Sequence, residues 1–164
     1  MGTATHYLEI HAPAQRCYDW WRPLTHLPDI MPDVTEVESR PPEADRTHWK
    51  VAGPAGTTIE WDARIVEDEA GRKIAWKSVD SADGGSTTVP NGGAVRFDDH
   101  GDSTGVEVSL HFDPPGGRAG EAVASLFADP QQKVERGLES FKHMMENGLD
   151  RSDAGQTWQD PGPA

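Results

Sequence analysis

The sequence predicts an α+β domain in which a curved antiparallel sheet of six to seven strands wraps around one long C-terminal helix, with two short helices after the first strand. Apolar and polar residues alternate in short runs from Val34 to Phe112. Helical spacing of apolar residues follows Pro13 and recurs between Ala119 and Met145. A sheet with one apolar face must cover that face with the helix.

The first strand is predicted at Thr5–Ile10, where side chains alternate in character. Pro13 suits the first position of a helix over Ala14–Leu24, because its missing N–H is not needed there. Pro23 and Pro28 separate this helix from a second short one at His26–Met31.

The sheet is predicted from runs that share one apolar face, with charged residues opposite. Asp80–Gly93 is rich in Gly, Ser and Thr and is predicted as a loop. The apolar positions of these runs include Trp49, Val51, Ile59, Trp61, Ala63, Ile74, Trp76, Val95, Phe97, Val106, Val108, Leu110 and Phe112. Glu60, Asp62 and Arg64 are expected on the opposite, outer face.

The last helical pattern is expected to be interrupted at Asp129–Pro130, since proline removes a helix hydrogen bond. Its second part carries Val134, Leu138, Phe141 and Met145 on one face, and Asn147–Gly148 marks its end. A twisted sheet curves around such a helix, and the space between them is where we expect a ligand cavity.

The chain has 164 residues, enough for one domain, which we expect over residues 1–147 with a disordered polar tail over 148–164. Leu, Ile, Val and Phe make up only 27 residues, and the net charge is −13, a combination typical of disorder. Six tryptophans and the clear periodicity indicate instead a folded domain with an aromatic core.

The net charge of −13 and the lack of a Lys/Arg cluster argue against binding to nucleic acids or anionic membranes. There is no membrane span, because the chain lacks 18 consecutive apolar residues. The N-terminal residues do not resemble a secretory signal, so we expect a cytoplasmic protein, as a monomer or homodimer.

The chain resembles the START-like, or SRPBCC, superfamily over residues 4–147, and within it the polyketide cyclase/dehydrase and coenzyme Q-binding-like branch. This resemblance implies the helix-grip fold with a hydrophobic cavity, and no metal or organic cofactor. The segments that carry it are His11–Ala14, Ile59–Ile65, Ile74–Ser78, Asn91–Phe97, and Phe112–Gly117 leading into Leu126–Pro130.

One position departs from the aromatase/cyclases of this superfamily. They tend to carry a Ser and an Arg two and four residues beyond the Trp that matches Trp61, where this chain has Ala63 and Ile65. Arg64 is adjacent but is predicted to point outward. An arginine able to polarise a carbonyl is therefore not expected on this strand's inner face.

Ligand-binding candidates are the inward apolar residues together with two polar residues near the concave side. The apolar residues would equally suit ordinary core packing, although buried indole N–H groups need partners that a ligand can supply. The candidates are Trp49, Trp61, Trp76, Ser78, Asn91, Val95, Phe97, Leu110, Phe112, Phe127, Phe141 and Met145.

The candidate catalytic residues are His26, Ser78 and Asn91. A histidine near the cavity mouth would move protons, while Ser78 and Asn91 would polarise carbonyls. Simpler interpretations are a solvated loop histidine, a strand-end serine and a turn asparagine. The histidines do not cluster in the sequence, and so no metal site is expected.

Two functions therefore remain open. The first is binding of a lipid-, isoprenoid- or polyketide-like small molecule between sheet and helix. The alternative is a cofactor-independent polyketide cyclase, aromatase or dehydratase that folds a polyketide-like substrate in the same cavity.

Overall fold

A computed structural model of the chain describes residues 2–40, 43–52, 56, 58–79, 91–112 and 130–147. The α+β class and the helix-grip arrangement are confirmed: seven antiparallel strands form one sheet packed against a C-terminal helix. The strands are β1 (Gly2–Ile10), β2 (Val34–Arg40), β3 (Glu43–Ala52), β4 (Thr58–Glu69), β5 (Lys73–Val79), β6 (Asn91–Asp99) and β7 (Thr104–Phe112). The helices are α1 (Ala14–Trp21) and α2 (Pro130–Glu146).

The strand order is β1-β7-β6-β5-β4-β3-β2, so β1 and β2 form the two edges. The long connection from β1 to β2 runs through α1 and a short 3₁₀ turn at Leu27–Asp29. This turn lies within His26–Met31, where the sequence predicts a second short helix. Strand β6 begins at Asn91, within the predicted loop, whereas residues 80–90 lie outside the described part of the chain.

Helix α1 ends at Trp21, three residues before the predicted end at Leu24. The helix stops there because Pro23, which follows the capping residue Arg22, has no backbone N–H to continue it. Leu24 then adopts a φ of 61°, the left-handed conformation that glycine usually supplies at a helix end. Its side chain is nevertheless buried in the core. This reversal directs the chain into the 3₁₀ turn beneath which the cavity opens.

Helix α2 buries the apolar face that its spacing predicts, formed by Val134, Leu138, Phe141 and Met145. It ends where expected, with the Asn147 amide bonded to the carbonyl of His143. The predicted preceding segment Ala119–Phe127, the Asp129–Pro130 interruption and the predicted tail over 148–164 lie outside the described residues. No described helix is long and apolar enough to cross a membrane.

Side chains of α2 bond to the exposed backbone edge of β1. Gln131 accepts from the Thr5 amide at 3.1 Å and donates to the Thr5 carbonyl at 2.7 Å. Lys142 Nζ donates to the Glu9 carbonyl at 2.9 Å, and Glu146 accepts from the His11 amide at 2.9 Å. These bonds satisfy the strand edge much as an eighth strand would. They hold the helix against the β1 side of the sheet.

The outer face of β3 and β4 holds a buried ionic cluster. Asp62 lies on the predicted outer side, but only 4% of it is exposed. Arg46 Nε donates to it at 2.9 Å, and His48 Nδ1 lies 2.6 Å from its other oxygen. His48 Nε2 lies 2.7 Å from Glu60. Burial alone raises the pKa of Asp62, but the bonds from His48 and Arg46 outweigh it and hold that pKa below its ordinary value.

Removing the Gln131 side chain of α2, which bonds twice to the backbone of β1, should loosen the helix from the sheet. Gln131→Ala loses both hydrogen bonds to Thr5, together with an exposed one to Glu135, and should lower the free energy of unfolding by about 1 kcal/mol. The neighbouring Gln132→Ala is the matched control, because Gln132 faces the cavity rather than β1. Urea unfolding of both variants measures the difference, and equal midpoints would contradict the assigned role of Gln131.

Removing the buried charge should destabilise the sheet in a pH-dependent way. Asp62→Asn should lower the free energy of unfolding by about 2–3 kcal/mol at pH 7, because Arg46 and His48 lose their shared carboxylate. Since the folded pKa is depressed, this contribution exists above the unfolded value and is lost as the pH falls below about 4. Urea titrations at pH 7 and pH 3 should show the gap between the two proteins closing.

Glu60→Gln is the control for this change, because Glu60 touches the same histidine but is exposed. It should cost less than about 1 kcal/mol. Equal losses from Asp62→Asn and Glu60→Gln would show that burial of the cluster contributes nothing.

Candidate functional site

A cavity of about 460 Å³ lies between the inner face of the sheet, α2 and the segment 27–34. This volume is typical of small-molecule sites. Its apolar lining within the described residues comprises Trp21, Leu27, Ile30, Met31, Pro32, Val34, Trp49, Val51, Trp61, Trp76, Val108, Leu110 and Pro130, with Gly92 beside them. Its polar lining comprises Asp29, Asp33, Asn91, His111, Gln132, Lys133, Arg136 and Ser140.

Four tryptophans form one nearly parallel stack along the cavity wall. The ring centroids of Trp61 and Trp49 are 5.9 Å apart with planes at 18°. Trp49 and Trp76 are 6.3 Å apart at 26°, and Trp76 and Trp21 are 6.3 Å apart at 21°. Three of these residues come from neighbouring strands β3, β4 and β5, which confirms the predicted shared face. The stack gives the cavity an aromatic wall built from four indoles.

Gly93 on β6 provides the space in which the Trp76 ring lies. A Cβ atom at Gly93 would come within 2.6 Å of the Trp76 ring and within 2.8 Å of a Leu110 methyl. Both distances are too short for any side chain, so glycine is required here by close approach. The indole of Trp76 therefore crosses β6 and extends the aromatic wall toward β7.

The indole nitrogens of the stack differ in their hydrogen bonding. Trp49 Nε1 donates to the Thr47 hydroxyl at 2.9 Å. The Nε1 atoms of Trp21 and Trp61 are buried, and each lacks a hydrogen-bond partner in the described structure. A buried donor without a partner costs about 1–3 kcal/mol. These two residues of the cavity wall therefore hold unused hydrogen-bonding capacity.

Segment 27–34 contacts α2 at two points beside the cavity. The Met31 side chain packs where Gly137 has no side chain, since a Cβ there would lie 3.3 Å from the Met31 Cγ and Cε atoms. One turn earlier on the helix, Lys133 Nζ lies 2.9 Å from Asp33. The mouth is thus bounded by a short apolar contact and one exposed ion pair.

The structure brings several of the predicted ligand-binding residues to the cavity and leaves others in the core. Trp49, Trp61, Trp76, Asn91 and Leu110 line it. Val95, Phe97, Phe141 and Met145 are buried but are not part of the described lining. They lie toward the closed end, where α1 and α2 meet the sheet; Phe97, for example, packs edge-on against Tyr18 at 6.1 Å.

Two predicted ligand-binding residues are not described at the level of their side chains. Phe112 is the last residue of β7, and only its backbone is described. Phe127 lies outside the described residues. Their predicted roles therefore stay predictions.

The three catalytic candidates are not brought together. His26 Nδ1 is bonded to the Trp20 carbonyl at 2.9 Å, and its ring packs on Trp20, away from the described cavity lining. Ser78 is buried, and its hydroxyl accepts the backbone N–H of Asn91 at 3.0 Å. Asn91 alone of the three faces the cavity. His111, across from Gly92 on β7, is the histidine that lines it.

Of the two adjacent tryptophans at the end of α1, Trp21 lines the cavity and Trp20 is not part of the described lining. Trp20 is fully buried, with its ring centroid 4.9 Å from that of Phe141. Adjacent positions on a helix differ by about 100°, so one indole reaches the cavity and the other the core.

The polar cavity residues of α2 are the main group that the sequence did not reveal. Gln132, Arg136 and Ser140 recur every four residues, which places them on one stripe of the helix. That spacing was the available signal, but it is equally typical of a solvated helix face.

On the outer side of the sheet, Arg64 lies 3.5 Å from Asp45, which agrees with its predicted outward direction.

Sequence comparison places most of the chain in one family. The model described as polyketide cyclase / dehydrase and lipid transport matches residues 10–139. No protein of curated function matches the chain.

Solved structures agree with this assignment. DR_A0006 from Deinococcus radiodurans is 30% identical with a TM-score of 0.72, over 91% of this chain and 100% of that one. The Zhui aromatase/cyclase from Streptomyces sp. R1128 is 16% identical with a TM-score of 0.62, over 98% and 99%. Major latex-like protein 151 from Panax ginseng is 11% identical with a TM-score of 0.58, over 88% and 97%. The last two show a shared fold alone.

Together, the helix-grip architecture, the cavity and the match over residues 10–139 confirm the START-like resemblance. The chain belongs to the polyketide cyclase / dehydrase and lipid transport family.

Proposed function

We propose that the protein binds a hydrophobic small molecule, lipid-, isoprenoid- or polyketide-like, in the cavity between the sheet and α2. The observation that carries this proposal is the stack of Trp61, Trp49, Trp76 and Trp21 along an otherwise apolar wall. Indole rings offer extensive apolar contact and pack well, edge-to-face or offset, against another aromatic ring. Among hydrophobic molecules, the stack favours those with a planar ring system.

The size and polarity of the cavity support the same proposal. A volume of about 460 Å³ accommodates several fused rings or a short isoprenoid chain. The unused N–H groups of Trp21 and Trp61, with the amide of Asn91, favour a ligand that carries carbonyl or hydroxyl oxygens. Burial of the apolar part of such a ligand supplies the main driving force.

Filling the cavity should prevent binding. Val51 is a buried residue of the lining, and Val51→Phe places a ring in the space that the ligand needs. The affinity for a neutral planar probe, pyrenebutanol, should fall at least about tenfold, which corresponds to 1.4 kcal/mol. Quenching of tryptophan fluorescence during titration measures the affinity.

Val37→Phe is the matched control, because Val37 is equally buried on the neighbouring strand β2 but is not part of the described lining. It should keep the wild-type affinity. Thermal unfolding checks that both variants fold, and Leu110→Trp serves as a second filling variant if Val51→Phe does not. If the wild-type protein leaves pyrenebutanol unbound, or if filling the cavity does not change the affinity, the proposal is wrong.

A cyclase or dehydratase acting in the same cavity is the second candidate. The observation in its favour is that Asn91 and His111 both line the cavity from paired strands β6 and β7. An amide donor can polarise a carbonyl, and an imidazole can accept a proton. His26 and Ser78 are less suited to such a role, since neither belongs to the described cavity lining.

The two candidates differ in the response to Asn91→Ala. If the protein only binds, this variant should lose about threefold to tenfold in affinity, the value of one neutral hydrogen bond, and neither protein should convert a poly-β-keto substrate. If the protein is a cyclase, wild type should convert the substrate and Asn91→Ala should lose most of that rate. Product analysis by mass spectrometry distinguishes the outcomes. His26→Ala is the control and should leave either result unchanged.

A further inference from the structure

The cavity has two chemically different sides. The strands contribute the tryptophan wall, whereas α2 contributes a stripe of polar side chains at four-residue spacing, Gln132, Arg136 and Ser140. Each member of this stripe can donate hydrogen bonds. A ligand lying on the aromatic wall therefore has the donor stripe of α2 above it.

Arg136 is the charged residue of this stripe, and it is exposed. Its neighbour Lys133 is already paired, with Asp33 2.9 Å from its Nζ atom. No acidic side chain of the described residues lies within ion-pair distance of Arg136. By contrast, Arg22, Arg46 and Arg96 each lie within 4 Å of a carboxylate. In a chain with a net charge of −13, an arginine without such a partner beside an apolar cavity is available to an anion.

We propose that the ligand is an anionic amphiphile, with a planar apolar body against the tryptophan stack and one carboxylate bound by Arg136 at the mouth. This inference rests on the proposed binding function and specifies its ligand class. The planar guanidinium matches the two oxygens of a carboxylate and is only weakly hydrated, which suits it to this position. Ser140, one turn further along α2, also lines the cavity and adds a hydroxyl donor to this side.

The rest of the lining fits this orientation. The acidic residues at the mouth are Asp29 and Asp33, both on segment 27–34, and Asp33 is held by Lys133. A carboxylate on the α2 side therefore meets Arg136, while the apolar body of the ligand lies against the tryptophan wall. The ligand is thereby oriented with its charged end toward solvent and its body inside the cavity.

The experiment compares two probes with the same apolar body, pyrenebutyrate and pyrenebutanol. The wild-type protein should bind the carboxylate about tenfold more tightly, as expected for one charge-assisted pair at a partly exposed site. Arg136→Gln should remove this preference, so that pyrenebutyrate binds about as weakly as pyrenebutanol. Arg136→Lys should restore part of it.

Arg96→Gln is the matched control, because it changes the net charge equally on the outer face of the sheet, where Arg96 faces Glu107. It should keep the preference for pyrenebutyrate. Equal binding of both probes by the wild-type protein would overturn the inference while leaving the binding function intact. A preference retained in Arg136→Gln would likewise overturn it. If neither probe binds, the proposed function fails, and the inference fails with it.

Discussion

The fastening of α2 to one edge of the sheet determines where the cavity lies. Gln131 and Lys142 bond to the backbone of β1, and Glu146 bonds to the backbone of His11 just after it, which holds the helix at that edge. The sheet curves away from the helix toward β2, at the opposite edge. The gap that this leaves is covered by segment 27–34, which touches the helix at Gly137. The cavity is thus the space that a helix anchored on one side fails to fill.

The tryptophans suit this wedge-shaped space. Aliphatic side chains long enough to reach across it would collapse into several conformers, whereas indoles are large and have few rotatable bonds. Trp61 and Trp76 each stack against Trp49, and Gly93 leaves room for the Trp76 ring. The low aliphatic content of the chain therefore accompanies an open site with rigid walls.

The alternation of residues along the strands was sufficient to predict the sheet and its aromatic face, because side chains on a strand have only two directions. It could not predict which inward residues reach the cavity. Phe97 and Trp76 share the inner face, yet only Trp76 lies where the helix and sheet diverge. The same limit applies to helices, as Trp20 and Arg136 show. Helical spacing predicts which residues share a face, but not whether that face contacts the core, the cavity or solvent.

The hydrogen bonds from α2 to β1 also affect how copies of this chain can meet. Side chains of α2 occupy backbone groups of Thr5 and Glu9 on β1, and β2 is the other edge of the sheet that the described residues form. Strand β2 is interrupted by two register shifts and carries Glu36 and Glu38. Irregular, charged edges resist pairing with a neighbouring sheet. A sheet with only two edges is in this way guarded against edge-to-edge aggregation, at one edge by the helix and at the other by charge and irregularity.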